Sequence, residues 1–239
     1  MLNVYIADLS GLEESYNEKL KRLHQARAEK IKAYKMPADR IRGLGAGLLL
    51  EKGLEDYLRQ GSDLSGENAK GDAFCIPKDE EGRFIIEYAY GPHGKPYFKN
   101  YPEIRFSLSH SGNMAVLALS DSEVGIDIQE NRGYIERIAK RFYHEQEWKI
   151  LENKDSVSEC EKLFYQIWTG KEAYIKYTGK GMRQDLRNFY VDLENGYVIT
   201  ADGKILKYQM IETDTNSYFC SLVFDKKTQK IGKIIKIYM

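Results

Sequence analysis

The chain of 239 residues balances 36 Lys and Arg against 36 Asp and Glu, with 42% hydrophobic and 30% charged residues. That length supports one large or two small domains with a real core, and the zero net charge removes the global field that would favour nucleic acid or an anionic membrane. Cys75, Cys160 and Cys220 lie far apart and outside any CxxC spacing, which suits neither a disulfide framework nor a zinc site and fits a reducing compartment.

The first ten residues, MLNVYIADLS, lack the basic start and apolar run of a signal peptide, and no apolar stretch approaches a membrane span. A cytoplasmic protein is expected. Residues 2–7 predict a first strand, and residues 11–35 read as helical and charged. Between 21 and 42 the basic residues Lys21, Arg22, Arg27, Lys30, Lys32, Lys35, Arg40 and Arg42 face only Glu29 and Asp39. Asp39 is placed to cap a second helix over 41–58, where Leu44, Leu48 and Leu58 recur at helical spacing. Gly43, Gly45 and Gly47 either weaken that helix or permit close packing. The polar, glycine-rich stretch 61–72 reads as a loop.

FIIEYAYGPHGKPYF predicts a strand, a turn at 91–96 and a short extended piece. FSLSHSG, with His110 in a serine-rich turn, leads into the buried strand MAVLALS, and EVGIDIQ alternates like a further strand. A helical segment over 135–151, broken near 153–158, precedes a strong helix over about 162–177 that stops at Gly179, a natural left-handed cap. Strand-like FYVDL, YVIT, KILKYQMI, YFCSLVF and KIIKIYM follow. Two halves, 1–121 and 122–239, are expected, and residues 48–58 faintly echo 167–177.

Alternation in VGIDIQ puts Val124, Ile126 and Ile128 on one face and Asp127 and Gln129 on the other, so an apolar core and two oxygen-bearing groups can share one strand. An amphipathic edge strand would read the same. Trp168, Glu172 and Lys176 stack on one helix face at four-residue spacing. Glu172 and Lys176 also suit an ordinary i,i+4 surface pair worth roughly 0.2–0.5 kcal/mol. A carboxylate opposite Asp127 would make a hard-cation site beside phosphate. Ser109, His110 and Ser111 are neighbours in extended chain and point in opposite directions, so they form no Ser–His pair, but they could receive a phosphate. Neither a G-x-S-x-G elbow nor a P-loop is present.

The ordered set GKP, FSLSHSG, VGIDI and WTGKEAYIKYTGKG, over about residues 20–195, resembles the Sfp-type 4′-phosphopantetheinyl transferases. The resemblance implies an α+β fold of two similar halves with pseudo-two-fold symmetry, the first contacting nucleotide and the second carrying metal and catalytic residues. It implies a monomer that transfers the 4′-phosphopantetheine of coenzyme A to a serine of an apo acyl or peptidyl carrier protein, with magnesium, releasing 3′,5′-ADP. Asp127 and Glu172 are then expected as magnesium ligands, and Glu172 and Lys176 as catalytic residues. His110, Ser109, Lys95 and Pro96 are expected at coenzyme A, and Arg27, Lys30 and Arg42 at its 3′-phosphate. Gln129 stands where well-known members have Glu, and is expected to act as a weak ligand or through water. Fatty-acid, polyketide and nonribosomal-peptide carriers remain equally open. Two other classes compete: a coenzyme A-binding or carrier-docking module without catalysis, and an interaction protein whose basic 21–42 run and C-terminus meet an acidic partner.

Overall fold

The computed structural model describes residues 1–64, 76–213, 215, 217–225 and 231–239. Strand β1 (Leu2–Asp8) sends Val4 and Ile6 into one apolar cluster and Tyr5 and Ala7 into another. Strand β5 (Met114–Ser120) does the same, with Val116 and Ala118 on one face and Leu117 and Leu119 on the other. Strands apolar on both faces belong in the middle of stacked layers. Here they anchor a four-stranded sheet ordered β11-β1-β5-β4, where β4 is Arg105–Ser111 and β11 is Ile231–Tyr238.

The second sheet runs β6 (Val124–Glu130), β10 (Tyr218–Asp225), β9 (Ile205–Ile211), β8 (Tyr197–Thr200) and β7 (Phe189–Asp192). The sheets meet through Val4, Ile6 and Val116 on one side and Val124, Ile126, Ile128 and Leu222 on the other. A long helix covers each outer face. Helix α3 (Pro37–Leu64) packs Leu49, Leu50 and Leu54 onto Tyr5 and Leu117. Helix α6 (Val157–Thr178) packs Ala173, Tyr174 and Ile175 onto Val191, Val198 and Val223. The fold is therefore α+β, each half laying one long helix on its sheet, and the two echoing segments fall on those two helices. One strand departs from the expected halves: β11, from the end of the chain, pairs parallel with β1 in the first sheet.

The 11–35 stretch divides into α1 (Tyr16–Leu20) and α2 (Gln25–Lys32). Helix α3 starts at Pro37, whose missing N–H costs nothing in a first turn, so Asp39 lies inside that turn and pairs with Arg42 instead of capping. Residues 61–64 continue α3, while 65–72 of the expected loop, and Cys75, lie outside the described residues. His110 sits within β4 rather than in a turn. The 135–151 segment breaks at 143–144 into α4 (Glu136–Phe142) and α5 (Glu145–Glu152), because the His144 side chain and Glu147 form a reciprocal cap there. The glycines of α3 are close-packing devices. A Cβ on Gly47 would lie 2.7 Å from Leu23 Cδ1 and 2.8 Å from Arg27 Nε, so its absence lets α2 seat Arg27 against α3. The pair β2 (Tyr88–Tyr90) and β3 (Pro96–Phe98) forms a separate hairpin. Cys160 and Cys220 are buried and free.

Candidate active site

Gly125 decides how close strand and helix can come. A Cβ there would run into the carbonyl oxygen of Ala173 and lie 2.5 Å from the Tyr177 backbone nitrogen, so any side chain would force α6 off β6. Backbone cannot give way as a flexible side chain can. With glycine, β6 lies directly under α6, and Asp127, two residues on, comes within 2.7 Å of Lys176 Nζ through its Oδ1. Glu172, one turn earlier on α6, lines the same cleft. Its pKa is raised, first by burial and then by the charge of Asp127, with Lys176 opposing both.

Three serines at alternate positions of β4 point to β6. Ser107 Oγ accepts the N–H of Ile126 at 3.0 Å, and Ser111 Oγ accepts that of Glu130 at 3.0 Å. Between them Ser109 Oγ donates to Asp127 Oδ1 at 2.7 Å. Side-chain hydroxyls thus join the edges of the two sheets, and the middle one holds the central carboxylate. Asp127, only 2% exposed, also accepts from Gln129 Nε2 at 3.2 Å. Ser111 Oγ lies 3.5 Å from Gln129 Oε1 and donates to it. In this orientation Gln129 offers Asp127 an N–H and keeps its oxygen on Ser111, so of its two expected roles, weak ligand or action through water, the first would need the carboxamide to turn.

The cleft above these groups has a volume of about 590 Å³. Arg27 and Lys30 from α2, Tyr88, Tyr90 and Pro96 from the hairpin, and His110 from β4 form its walls. Lys30 Nζ donates to Tyr90 Oη at 3.0 Å, and the Arg27 guanidinium lies 5.8 Å from the centre of the Tyr88 ring. Arg27 Nε is buried without a hydrogen-bond partner among the described residues. That nitrogen packs against Gly47 of α3, while the Arg27 side chain still lines the cleft, where its positive charge suits an anion. His110 has a lowered pKa, first from desolvation in the cleft and then from the charges of Lys176 and Arg42. Arg42 is not among the residues that line this cleft; its guanidinium lies on Asp39 at 2.5 Å.

The structure brings Arg27, Lys30, Pro96, Ser109, His110, Asp127, Gln129, Glu172 and Lys176 around one cavity. It does not bring Lys95 there: its ammonium turns to Glu123 Oε2 at 2.7 Å and to the carbonyls of Tyr177 and Val124 at 3.2 and 3.3 Å. Among the described residues no cluster of three His, Cys, Asp or Glu side chains forms. The oxygen donors are two carboxylates sharing one lysine, a surplus of negative charge that fits a divalent cation completed by phosphate and water. Sequence reasoning missed the tyrosines of the hairpin and the roles of Ser107, Ser111 and Gly125. The S-x-S-x-S alternation was the available signal, since period two on a strand puts all three hydroxyls on one face. Reasoning from the motif also passed over Lys171, which is wholly buried and bonded to Glu147, Leu186 O and Phe189 O at 2.7, 2.8 and 2.9 Å.

A two-sheet α+β fold with paired carboxylates under a basic cleft defines the class: an anion-binding site suited to phosphate chemistry. Residues 123–225, which hold both carboxylates, match the model of the 4′-phosphopantetheinyl transferase superfamily. Relatives are of the same kind. The chain is 35% identical over 108 residues to the 4′-phosphopantetheinyl transferase Sfp of Bacillus subtilis, covering 45% of this chain and 48% of that one. It is 40% identical over 97 residues to psf-1 of Bacillus pumilus, covering 41% of each. It is 32% identical over 154 residues to gsp of Aneurinibacillus migulanus, covering 64% of this chain and 55% of that one. The matches thus span about half the length of these relatives. A holo-[acyl-carrier-protein] synthase of Thermotoga maritima overlaps with a TM-score of 0.35 at 18% identity, over 44% of this chain and 64% of that one, a likeness too weak to bear on the fold.

Proposed function

We propose that this protein transfers the 4′-phosphopantetheine moiety of coenzyme A to a serine of an apo acyl or peptidyl carrier protein, with magnesium, releasing 3′,5′-ADP. The observation that carries this reading is the convergence of Asp127, Glu172 and Lys176 from two different elements at the floor of one basic cleft. In this reading the first half, residues 1–121, holds the nucleotide: Arg27, Lys30 and Arg42 take the 3′-phosphate, and Ser109, His110 and the hairpin at Pro96 border the rest. The second half, residues 122–239, supplies metal ligands and catalysis. Lys95 acts from behind that wall.

Asp127 and Glu172 would hold the magnesium. When bound, the ion would neutralise the diphosphate and align it for attack. Ser109 and Gln129 keep the Asp127 carboxylate oriented. Lys176, paired with Asp127 in the free protein, can turn its ammonium to the phosphate as negative charge gathers on the departing nucleotide. The raised pKa of Glu172 suits a carboxylate that accepts the proton of the attacking serine, a role a bound water could share. No helix among the described residues is long and apolar enough to cross a membrane. A cytoplasmic monomer acting on soluble carriers, with neither nucleic acid nor membrane as partner, completes the reading.

The test is to incubate the protein with coenzyme A, magnesium and a panel of apo carrier proteins, then measure intact carrier mass. A gain of one phosphopantetheine arm is expected. Binding of coenzyme A without mass gain on any carrier would leave a non-catalytic module, and no binding at all would favour an unrelated interaction protein.

A further inference from the structure

The lysine of the GKP turn makes no contact that the proposed chemistry uses, yet its ammonium is fully engaged. Lys95 Nζ donates to Glu123 Oε2 at 2.7 Å, to Tyr177 O at 3.2 Å and to Val124 O at 3.3 Å. Its three acceptors sit at two elements: Glu123 immediately precedes β6 and Val124 begins it, and Tyr177 is in the last turn of α6. The lysine itself stands at the foot of the hairpin, beside Pro96, where the turn closes through Gly91 N to Lys95 O at 2.9 Å.

Each of the three joined elements carries a different part of the cleft. The hairpin brings Tyr88, Tyr90 and Pro96, β6 brings Asp127, and α6 brings Glu172 and Lys176. A cation bonded to a carbonyl at the C-terminal end of a helix is favoured by the helix dipole, so the contact to Tyr177 O is directional and stable. Helix α6 ends one residue later, with Gly179 in the left-handed cap conformation at φ 66°. The Lys95 stem packs there: a Cβ on Gly179 would lie 3.1 Å from Lys95 Cδ. Burial lowers the pKa of Lys95 while the bond to Glu123 counters it, and Arg105 shares that carboxylate at 3.4 Å.

We infer that Lys95 is a positioning residue, a latch that holds the last turn of α6 against β6 and the hairpin and thereby fixes Lys176 opposite Asp127. This rests on the reading of the cleft as a phosphopantetheinyl transfer site. The latch does not touch the substrate. It acts through Lys176, whose neighbour Tyr177 it grips, so its loss should appear in the step that needs Lys176 more than in overall folding.

The experiment combines Lys95→Met, Lys176→Met and the double variant with two readouts. Amide hydrogen exchange of the free protein should be faster at Gly179, whose N–H bonds Ile175 O at 2.9 Å, when Lys95 becomes Met. Turnover with coenzyme A, magnesium and an apo carrier should fall about tenfold in Lys95→Met, and that factor should shrink below about twofold in the Lys176→Met background, since residues acting as one unit are not additive. An equal loss in both backgrounds, or unchanged exchange at Gly179, would overturn the latch. Absence of transfer by the unmodified protein would instead overturn the functional reading, and the exchange comparison would then decide the latch by itself.

Discussion

Helix α6 carries two lysines that each reach a carboxylate oxygen at 2.7 Å, and the two pairs behave as opposites. Lys171 and Glu147 are both 0% exposed. Every donor of that ammonium is used, and Glu147 also accepts the N–H groups of Val191 and His144 at 2.7 and 2.8 Å. Burial pushes the lysine pKa down and the carboxyl pKa up, and the surrounding bonds hold the ion pair against both. Lys176 is 29% exposed and opens on the cleft, beside a second carboxylate, Glu172, that makes no ion pair of its own among the described residues. Saturation makes the first pair a fastener for α5, β7 and α6. Incomplete compensation leaves the second open to the further charges that the proposed reading assigns to it.

Breaking the saturated pair should give the largest effect. Lys171→Met leaves Glu147 charged and buried, and should cost about 3–5 kcal/mol in urea unfolding, while Lys171→Met with Glu147→Leu should recover most of it. If Lys171→Met unfolds at the wild-type urea concentration, the pair is no fastener. On the open side, Glu172→Gln should lower carrier modification about 100-fold or more without lowering the thermal midpoint, because the native site already disfavours that carboxylate's charge. Wild-type turnover in this variant would remove Glu172 from the mechanism.

A third comparison probes the surroundings of Arg27 by pH. Burial pushes the Glu51 carboxyl from 4.5 up to about 7, with Arg27 pulling it the other way. Between those values the unfolded chain has lost the proton that the folded chain keeps, so stability should fall as pH rises through this window. The drop should be on the order of 1–2 kcal/mol after solvent screening, and Glu51→Gln should flatten it in unfolding curves taken from pH 4 to 8. The smallest effect is expected at Gln129. Gln129→Glu adds a negative charge next to Asp127 and should reduce the magnesium needed for half-maximal transfer severalfold, with little change at saturation. Superimposable magnesium titrations would show that the carboxamide has no influence on metal affinity.

Strand and helix placement followed from local pattern wherever the period was unbroken: β1, β5, β6 and the five late strands, and α6 with its stop at Gly179. Local pattern failed where a tertiary partner set the boundary. Pro37 and the Asp39–Arg42 pair moved the start of α3, and the His144–Glu147 cap divided α4 from α5. Most candidate residues were visible as motif positions, but motif position alone could not show where the Lys95 ammonium bonds, and it passed over Lys171.

Sequence by itself determined which side chains share a face, because strand and helix periods are local properties: Asp127 with Gln129, Glu172 with Lys176, and the three serines of β4. Only the tertiary structure decided which faces meet. That depended on long-range packing at a residue without a side chain, Gly125, whose contact with the α6 backbone brings Asp127 to Lys176, and on the pairing of β11 with β1 across nearly the whole chain. Contacts between distant segments leave no period in the chain that forms them, so they had to be seen.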